Sequence, residues 1–155
     1  MPQEDLTKVH VDLPGNPHTG GESMWAKALG DDLYELRNNP FYAYGLNFLD
    51  VVYAVAPAAD QKPSVLRVVR RSGHQTIWIT FIDNSNGEAR SGLLKELNQW
   101  RGFHENANGT YFVLDVEPDG NIAAVLERLS HWRDQGLLSY HTGGDGGFQP
   151  QGHGA

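Results

Sequence analysis

Cysteine is absent from this sequence, and its absence removes two classes at once. Neither a disulfide framework nor a thiolate metal site can be built. Long apolar runs are missing too: no stretch approaches the roughly 20 residues of a membrane span. The opening residues, MPQEDLTKVHVDL, are acidic and polar, unlike a secretory signal. These absences point to a cytoplasmic protein that does not enter a membrane. Bases are scarce: 12 Lys and Arg face 19 Asp and Glu, a formal charge of −7. Broad nucleic-acid binding needs clustered cations that displace counterions, so that class is disfavoured. An acidic balance suits a basic protein partner, and it also serves solubility on its own.

Several catalytic patterns are missing as well. The seven histidines (10, 18, 74, 104, 131, 141 and 153) include no two within three to five residues of each other. No helix therefore presents a histidine pair, and no metal site is expected. There is no Gly-x-x-x-x-Gly-Lys phosphate loop, and Ser72 lacks the Gly-x-Ser-x-Gly frame of a nucleophile elbow. No cofactor is implied.

What is present is a change of pattern along 155 residues, enough for one domain or two small ones. In the first half, Val9, Val11 and Leu13 alternate with Lys8, His10 and Asp12, the period of a half-buried strand. SMWAKAL and LYELR flank Gly30-Asp31-Asp32 with hairpin spacing. Pro40 and Gly45 interrupt NNPFYAYGLNFLD, where a short helical turn is expected at 46–49. DVVYAVA and SVLRVVRR complete five strands without a long helix, which predicts a small barrel or strongly bent sheet over residues 6–72.

The second half reads strand–helix–strand–strand–helix–strand. HQTIWITFI is a strand, and Leu93, Leu94, Leu97 and Trp100 make a helical stripe within residues 88–100. Asn108-Gly109 joins a hairpin. Ile122, Val125, Leu126, Leu129 and Trp132 mark a second helix, capped by Asp119 or Asn121 and ended by Gly136. LLSYHT is the last strand. This order predicts a ferredoxin-like βαββαβ half over residues 73–141 with both helices on one face of the sheet. The whole is an α+β chain in which the two halves pack together. Residues 1–5 and the Gly-rich 142–155 read as tails.

Arg70-Arg71-Ser72-Gly73-His74 is the densest polar cluster. Arginine forks match anions, and His74 can transfer protons near neutral pH. A phosphate loop, however, uses the free amides at the start of a helix, and here a strand follows. Successive strand residues point to opposite faces, so Arg70 and Arg71 cannot share a pocket while they stay in strand. The plainer reading is a bend between halves at Gly73.

Asp31, Asp32, Asp83, Asp115 and Glu117 are the candidate carboxylates. Asp115 and Glu117 share the strand face opposite Phe112, Leu114 and Val116. With Trp78 and Tyr111 they form an acidic, aromatic face that could dock a basic partner, together with Asp31 and Asp32. The aromatic segment Phe41, Tyr42, Tyr44 and Phe48 either closes the end of the barrel or lines a binding lip.

The segments RNNPFYAYGLNFLDVV and VVRRSGHQTIWI resemble the bacterial family called domain of unknown function 4265. The resemblance rests on Asn38, Pro40, Phe41, Gly45, Asp50, Val51, Val52, Arg71, Ser72, Gly73 and His74, and it extends to KVHVDL and ESMWAKALGDDLYEL. Gln75 departs from the pattern, which has a basic residue there, and this weakens an anion-binding reading. The resemblance implies no activity, but it implies that some members lie beside toxin genes, as immunity proteins do.

Two functions stay open. One is a non-catalytic protein-binding protein, of the immunity kind, that neutralises a toxin, a basic one on the charge argument, through the acidic face. The other is a small-ligand sensor or enzyme that gathers Asn38, Phe41, Tyr44, Asp50, Arg71, Ser72 and His74 at the seam between the halves.

Overall fold

A computed structural model describes residues 5–17, 19–82, 87–106 and 108–143. The candidate carboxylate Asp83, the histidines His18 and His153, and the Gly-rich tail beyond Gly143 lie outside the described residues. The chain divides into two compact units, and the boundary falls between Ser72 and Gly73.

The first unit is a closed five-stranded barrel: β1 (Thr7–Asp12), β2 (Gly21–Gly30), β3 (Leu33–Leu36), β4 (Val51–Val55) and β5 (Ser64–Arg70). Each strand pairs antiparallel with the next. An odd number of alternating strands leaves the first and last pointing the same way, so the barrel closes through a parallel β1–β5 contact at His10 and Ser64. Register shifts in β2–β3 and β4–β5 mark bulges, which bend strands toward closure. Inward positions follow the period of two. Val9, Val11, Met24, Ala26, Leu36, Val52, Ala54 and Val65 form the core with Ala43 and Leu46 from the β3–β4 connection.

That connection contains no helix. The helical turn expected at 46–49 is replaced by two hydrogen-bonded turns, at 44–45 and 48–49, and Leu49 adopts φ +68°. The Asn47 carbonyl accepts from the Asp50 N–H in a single turn, and the left-handed Leu49 inside it takes the backbone out of the right-handed helical region.

The second unit contains β6 (Gln75–Phe81), α1 (Gly87–Glu96), β7 (Gly102–Asn106), β8 (Tyr111–Val116), α2 (Ile122–Asp134) and β9 (Leu138–Thr142). Its sheet has the order β7-β8-β6-β9, with every neighbour antiparallel. Ile77, Ile79, Phe81, Phe112, Leu114 and Val116 share one face and pack with Leu93, Leu94 and Leu97 and with Val125 and Leu129. Both helices therefore cover the same face. The stripe read as one helix to Trp100 tightens at Leu97 into a 3-10 turn and stops at Arg101, which is left-handed. Asn121, of the two proposed caps, accepts from the Ala124 N–H at 3.0 Å and starts α2. The turn before α2 requires glycine: a Cβ on Gly120 would lie 2.5 Å from the Trp100 carbonyl oxygen. Among the described residues no helix is long and apolar enough to cross a membrane.

Candidate functional site

The Arg71–His74 cluster is divided between two buried carboxylates, one in each unit. In the barrel unit the acceptor is Asp50, which has no solvent exposure. It stands immediately before β4, where the returning chain brings it beside the end of β5. One oxygen accepts from the Ser72 backbone N–H at 2.8 Å. The other accepts from Arg71 Nη1 at 3.2 Å and from the Asn47 N–H at 3.0 Å. Arg71 Nη1 also donates to the Gly45 carbonyl at 2.6 Å, and Ser72 Oγ donates to the Phe48 carbonyl at 2.6 Å. Apart from the Asn47–Asp50 bond, these bonds tie the 45–50 connection to the exit of β5. A buried carboxylate is tolerable only with such partners. Arg71 and Ser72 thus act as a clasp on the barrel.

A second carboxylate works in the same way at the other end of that connection. Glu22, an inward position of β2, accepts from the N–H groups of Phe41, Tyr42 and Ala43 at 2.6, 3.1 and 3.0 Å. Burial pushes its carboxyl above the ordinary 4.5, and the three amides hold it down only in part. Asn38 completes the set: its Oδ1 accepts from the Trp25 N–H at 2.6 Å. The segment contributes Ala43 and Leu46 to the barrel core, while Phe41, Tyr42 and Phe48 are half-buried and Tyr44 is exposed. Asn38, Phe41, Asp50, Arg71 and Ser72 are all engaged in holding this connection.

In the second unit His74 bonds to Asp115 of β8. Nδ1 lies 2.9 and 3.1 Å from the two carboxylate oxygens, and both side chains are nearly buried. Desolvation raises the Asp115 carboxyl, the bond and charge of His74 oppose that, and Glu117 and Glu105 add to the rise. A carboxylate on Nδ1 fixes the orientation and tautomer of the imidazole, the arrangement used in general-base catalysis. Gly73, between the clasp and this pair, takes φ +95°, a conformation that side-chain-bearing residues rarely adopt.

The proposed docking face is not open. Trp78 is 1% exposed and stacks on His141 with ring centroids 5.3 Å apart, and Asp115 is 8% exposed. Their cross-strand neighbours Val113 and Thr76 are buried too, so this side of the sheet centre is not the solvated surface that alternation suggested. Tyr111 is half-buried at the hairpin, where its N–H donates to Asn108 Oδ1. Glu117 pairs with Arg101 at 2.5 Å, and Arg101 also reaches Asp119. Asp31 and Asp32 are exposed at the β2–β3 turn, both with positive φ. Among the described residues no group of three or more His, Asp and Glu side chains is placed to hold a metal.

Trp25 is an exposed aromatic that sequence reasoning missed, as is Phe103 on β7. Met24 and Ala26 point into the barrel, so Trp25 points out, 47% exposed. Lys8 lies opposite it on β1, with Nζ 4.7 Å from the ring centroid. The signal was in the sequence: within SMWAKAL, the same alternation that buries Met24 and Ala26 exposes Trp25.

A family model described as a domain of unknown function (DUF4265) matches residues 22–140. A crystal structure titled as that of a hypothetical protein from Neisseria gonorrhoeae is similar in fold, with a TM-score of 0.73 at 20% sequence identity over 90% of this chain and 94% of that one. No curated protein matches.

Proposed function

The chain belongs to the DUF4265 family, and we propose that it is a non-catalytic protein-binding protein of the immunity type, acting in the cytoplasm by occupying a toxin partner. The observation that carries this reading is the half-exposed Trp25 on the barrel wall. Tryptophan is the commonest binding hot spot, and solvating so large an apolar ring is unfavourable unless something covers it. The internal use of Arg71 and Ser72 supports the same reading, because it withdraws two groups from any catalytic cluster. The strand order of the second unit supports a ferredoxin-like arrangement, which hosts many functions and selects none.

A second reading, a ligand sensor or enzyme, now rests on the His74–Asp115 pair alone. Co-expression with the product of a neighbouring gene separates the two. Under the binding reading, a complex forms, growth inhibition by that product is relieved, and Trp25→Ala impairs both. If no complex forms and no relief is seen, the immunity reading fails. If His74→Asn abolishes binding of a small ligand or turnover, the second reading replaces it.

A further inference from the structure

The barrel closes on itself, but the sheet of the second unit does not: in the order β7-β8-β6-β9 it ends in two open edges. Hydrogen-bond direction alternates along an antiparallel strand, and the Glu117 N–H donates to the Arg101 carbonyl at 3.1 Å. In the register of that ladder the backbone groups of Phe103 and Glu105 also turn toward β8. Those of His104 and Asn106 turn the other way, off the edge. The bond from the Phe81 N–H to the Thr110 carbonyl fixes the same phase from the far side of β8. Gly102 is buried, but Phe103, His104, Glu105 and Asn106 are all exposed, Phe103 by 43%. Among the described residues nothing bonds to the outward N–H and C=O groups of His104 and Asn106. The opposite edge is less open. On β9 the residues that turn outward include Leu138, which is buried, and Tyr140, which is half-buried. Edges are commonly guarded by a lysine, a proline or a bulge. β7, GFHEN, has none of these, and its pairing with β8 runs without a register shift.

The charge beside β7 is acidic. Glu105 lies on the strand, and Glu117 and Asp119 follow β8. Arg101 alone answers both Glu117 and Asp119, at 2.5 and 3.0 Å, so a carboxylate is in excess even before Glu105 is counted. Burial raises the Asp115 carboxyl, and Glu117 and Glu105 lie close enough to add to the rise.

Resting on the protein-binding reading above, we infer that β7 takes a basic, extended segment of the partner as an added strand, with an apolar side chain of that segment on Phe103. An extended polypeptide carries N–H and C=O groups that repeat in step with those of His104 and Asn106, about 7 Å apart. Main-chain bonds hold such a segment, and side chains select it. Phe103 and Glu105 lie opposite Asp115 and Val113, on the face away from the helices. A segment in register sets an apolar group beside Phe103 and a cation beside Glu105. A second copy of this chain fits less well. Self-pairing centred on His104 sets Glu105 opposite Phe103 of the copy. Self-pairing centred on Phe103 brings Glu105 to Arg101 of the copy, a cation that two carboxylates already outnumber.

The test is selection of phage-displayed random dodecapeptides on the immobilised full chain, followed by titration of a synthesised winner. The expected winners carry Lys or Arg around an apolar residue, and on binding the His104 and Asn106 amides exchange more slowly with solvent. N-methylation of a winner, one residue at a time, weakens binding with a period of two, because only alternate N–H groups of an added strand face β7. His104→Pro deletes an outward N–H that takes no part in the β8 ladder, so the circular dichroism spectrum is unchanged while affinity falls roughly tenfold. Glu105→Lys turns selection away from basic sequences. The inference is overturned if native winners are acidic, if nothing is enriched, if the methylation scan shows no alternation, or if a folded His104→Pro binds the winner unchanged. It is overturned as well if the free chain sediments as a dimer that His104→Pro dissociates, which would put a second copy on the edge. Should His104→Pro unfold the chain, the methylation scan on the native protein decides. A toxin complex that survives both His104→Pro and Phe103→Ala sinks this inference and leaves the protein-binding reading standing. Basic winners on β7 without a toxin complex do the reverse for the immunity assignment.

Discussion

The two units solve one problem, covering the open side of a short-stranded sheet, with different materials. The second unit uses regular ones. Two amphipathic helices lay Leu93, Leu94, Leu97, Val125 and Leu129 on the sheet, and an Asn121 cap starts α2. Among the described residues the barrel unit has no helix. Its core is filled mostly by valine, alanine and leucine, and its long β3–β4 connection is irregular. Irregular backbone leaves some N–H groups without a backbone acceptor, and carboxylates serve them: Glu22 takes three and Asp50 takes two. Regular cover derives its stability from apolar area, whereas irregular cover depends on a few charged acceptors.

The contrast is broken most directly at Asp50. Asp50→Ala leaves the N–H groups of Ser72 and Asn47 without their acceptor and Arg71 Nη1 with only the Gly45 carbonyl, and the expected loss is about 3–5 kcal/mol. Urea unfolding measures it, and a loss below about 1 kcal/mol would show that the clasp does not hold the barrel. His74→Ala is the matching cut in the second unit. It strands the nearly buried Asp115 carboxylate, at an expected cost of about 2–3 kcal/mol. Equal costs at the two sites would erase the distinction drawn above.

Glu22 sharpens the comparison through pH. Its carboxyl is raised above 4.5 in the fold, so between 4.5 and the raised value the folded state binds more protons than the unfolded chain. Its favourable contribution is complete below about 4.5 and is lost as pH rises through the folded value. Glu22→Gln keeps an acceptor oxygen and removes the titration. The stability of the native chain relative to this variant should therefore decline as pH is raised from 4.5 and then level off, a trend read from thermal melts across pH. A difference that grows with pH would refute the assignment. The smallest effect belongs to the outer wall. Trp25→Ala should change stability by no more than about 0.5 kcal/mol while altering binding, because the ring packs on solvent-facing Lys8 rather than in the core.

Much of this architecture was legible in the sequence because local rules decide it. The alternation around Val9 and Val11, the Asn108-Gly109 hairpin and the two helix stripes all report short-range geometry, and the elements follow them. The carboxylate clasps were not legible. Asp50 meets Ser72 across 22 positions and Glu22 meets Phe41 across 19, and no periodicity encodes such encounters. Arg71 and His74 looked like one site because they are close in sequence, yet each bonds within its own unit. Trp78 was misread for a related reason. Alternation assigns a side chain to a face of the sheet, but it does not say whether that face meets water.

The parallel closure of the barrel has a kinetic consequence. β1 to β5 can form sequential hairpins by local search, but the last contact joins His10 to Ser64, and the His10 N–H donates to the Pro63 carbonyl at 2.8 Å. That ring closes only after the chain between has been ordered, since closing a long flexible loop early is entropically unfavourable. The barrel should therefore zip around its circumference and seal at one seam. Native-state hydrogen exchange would show the seam as its weakest stave: the His10 amide should exchange through openings that leave the β2–β3 and β4–β5 amides protected.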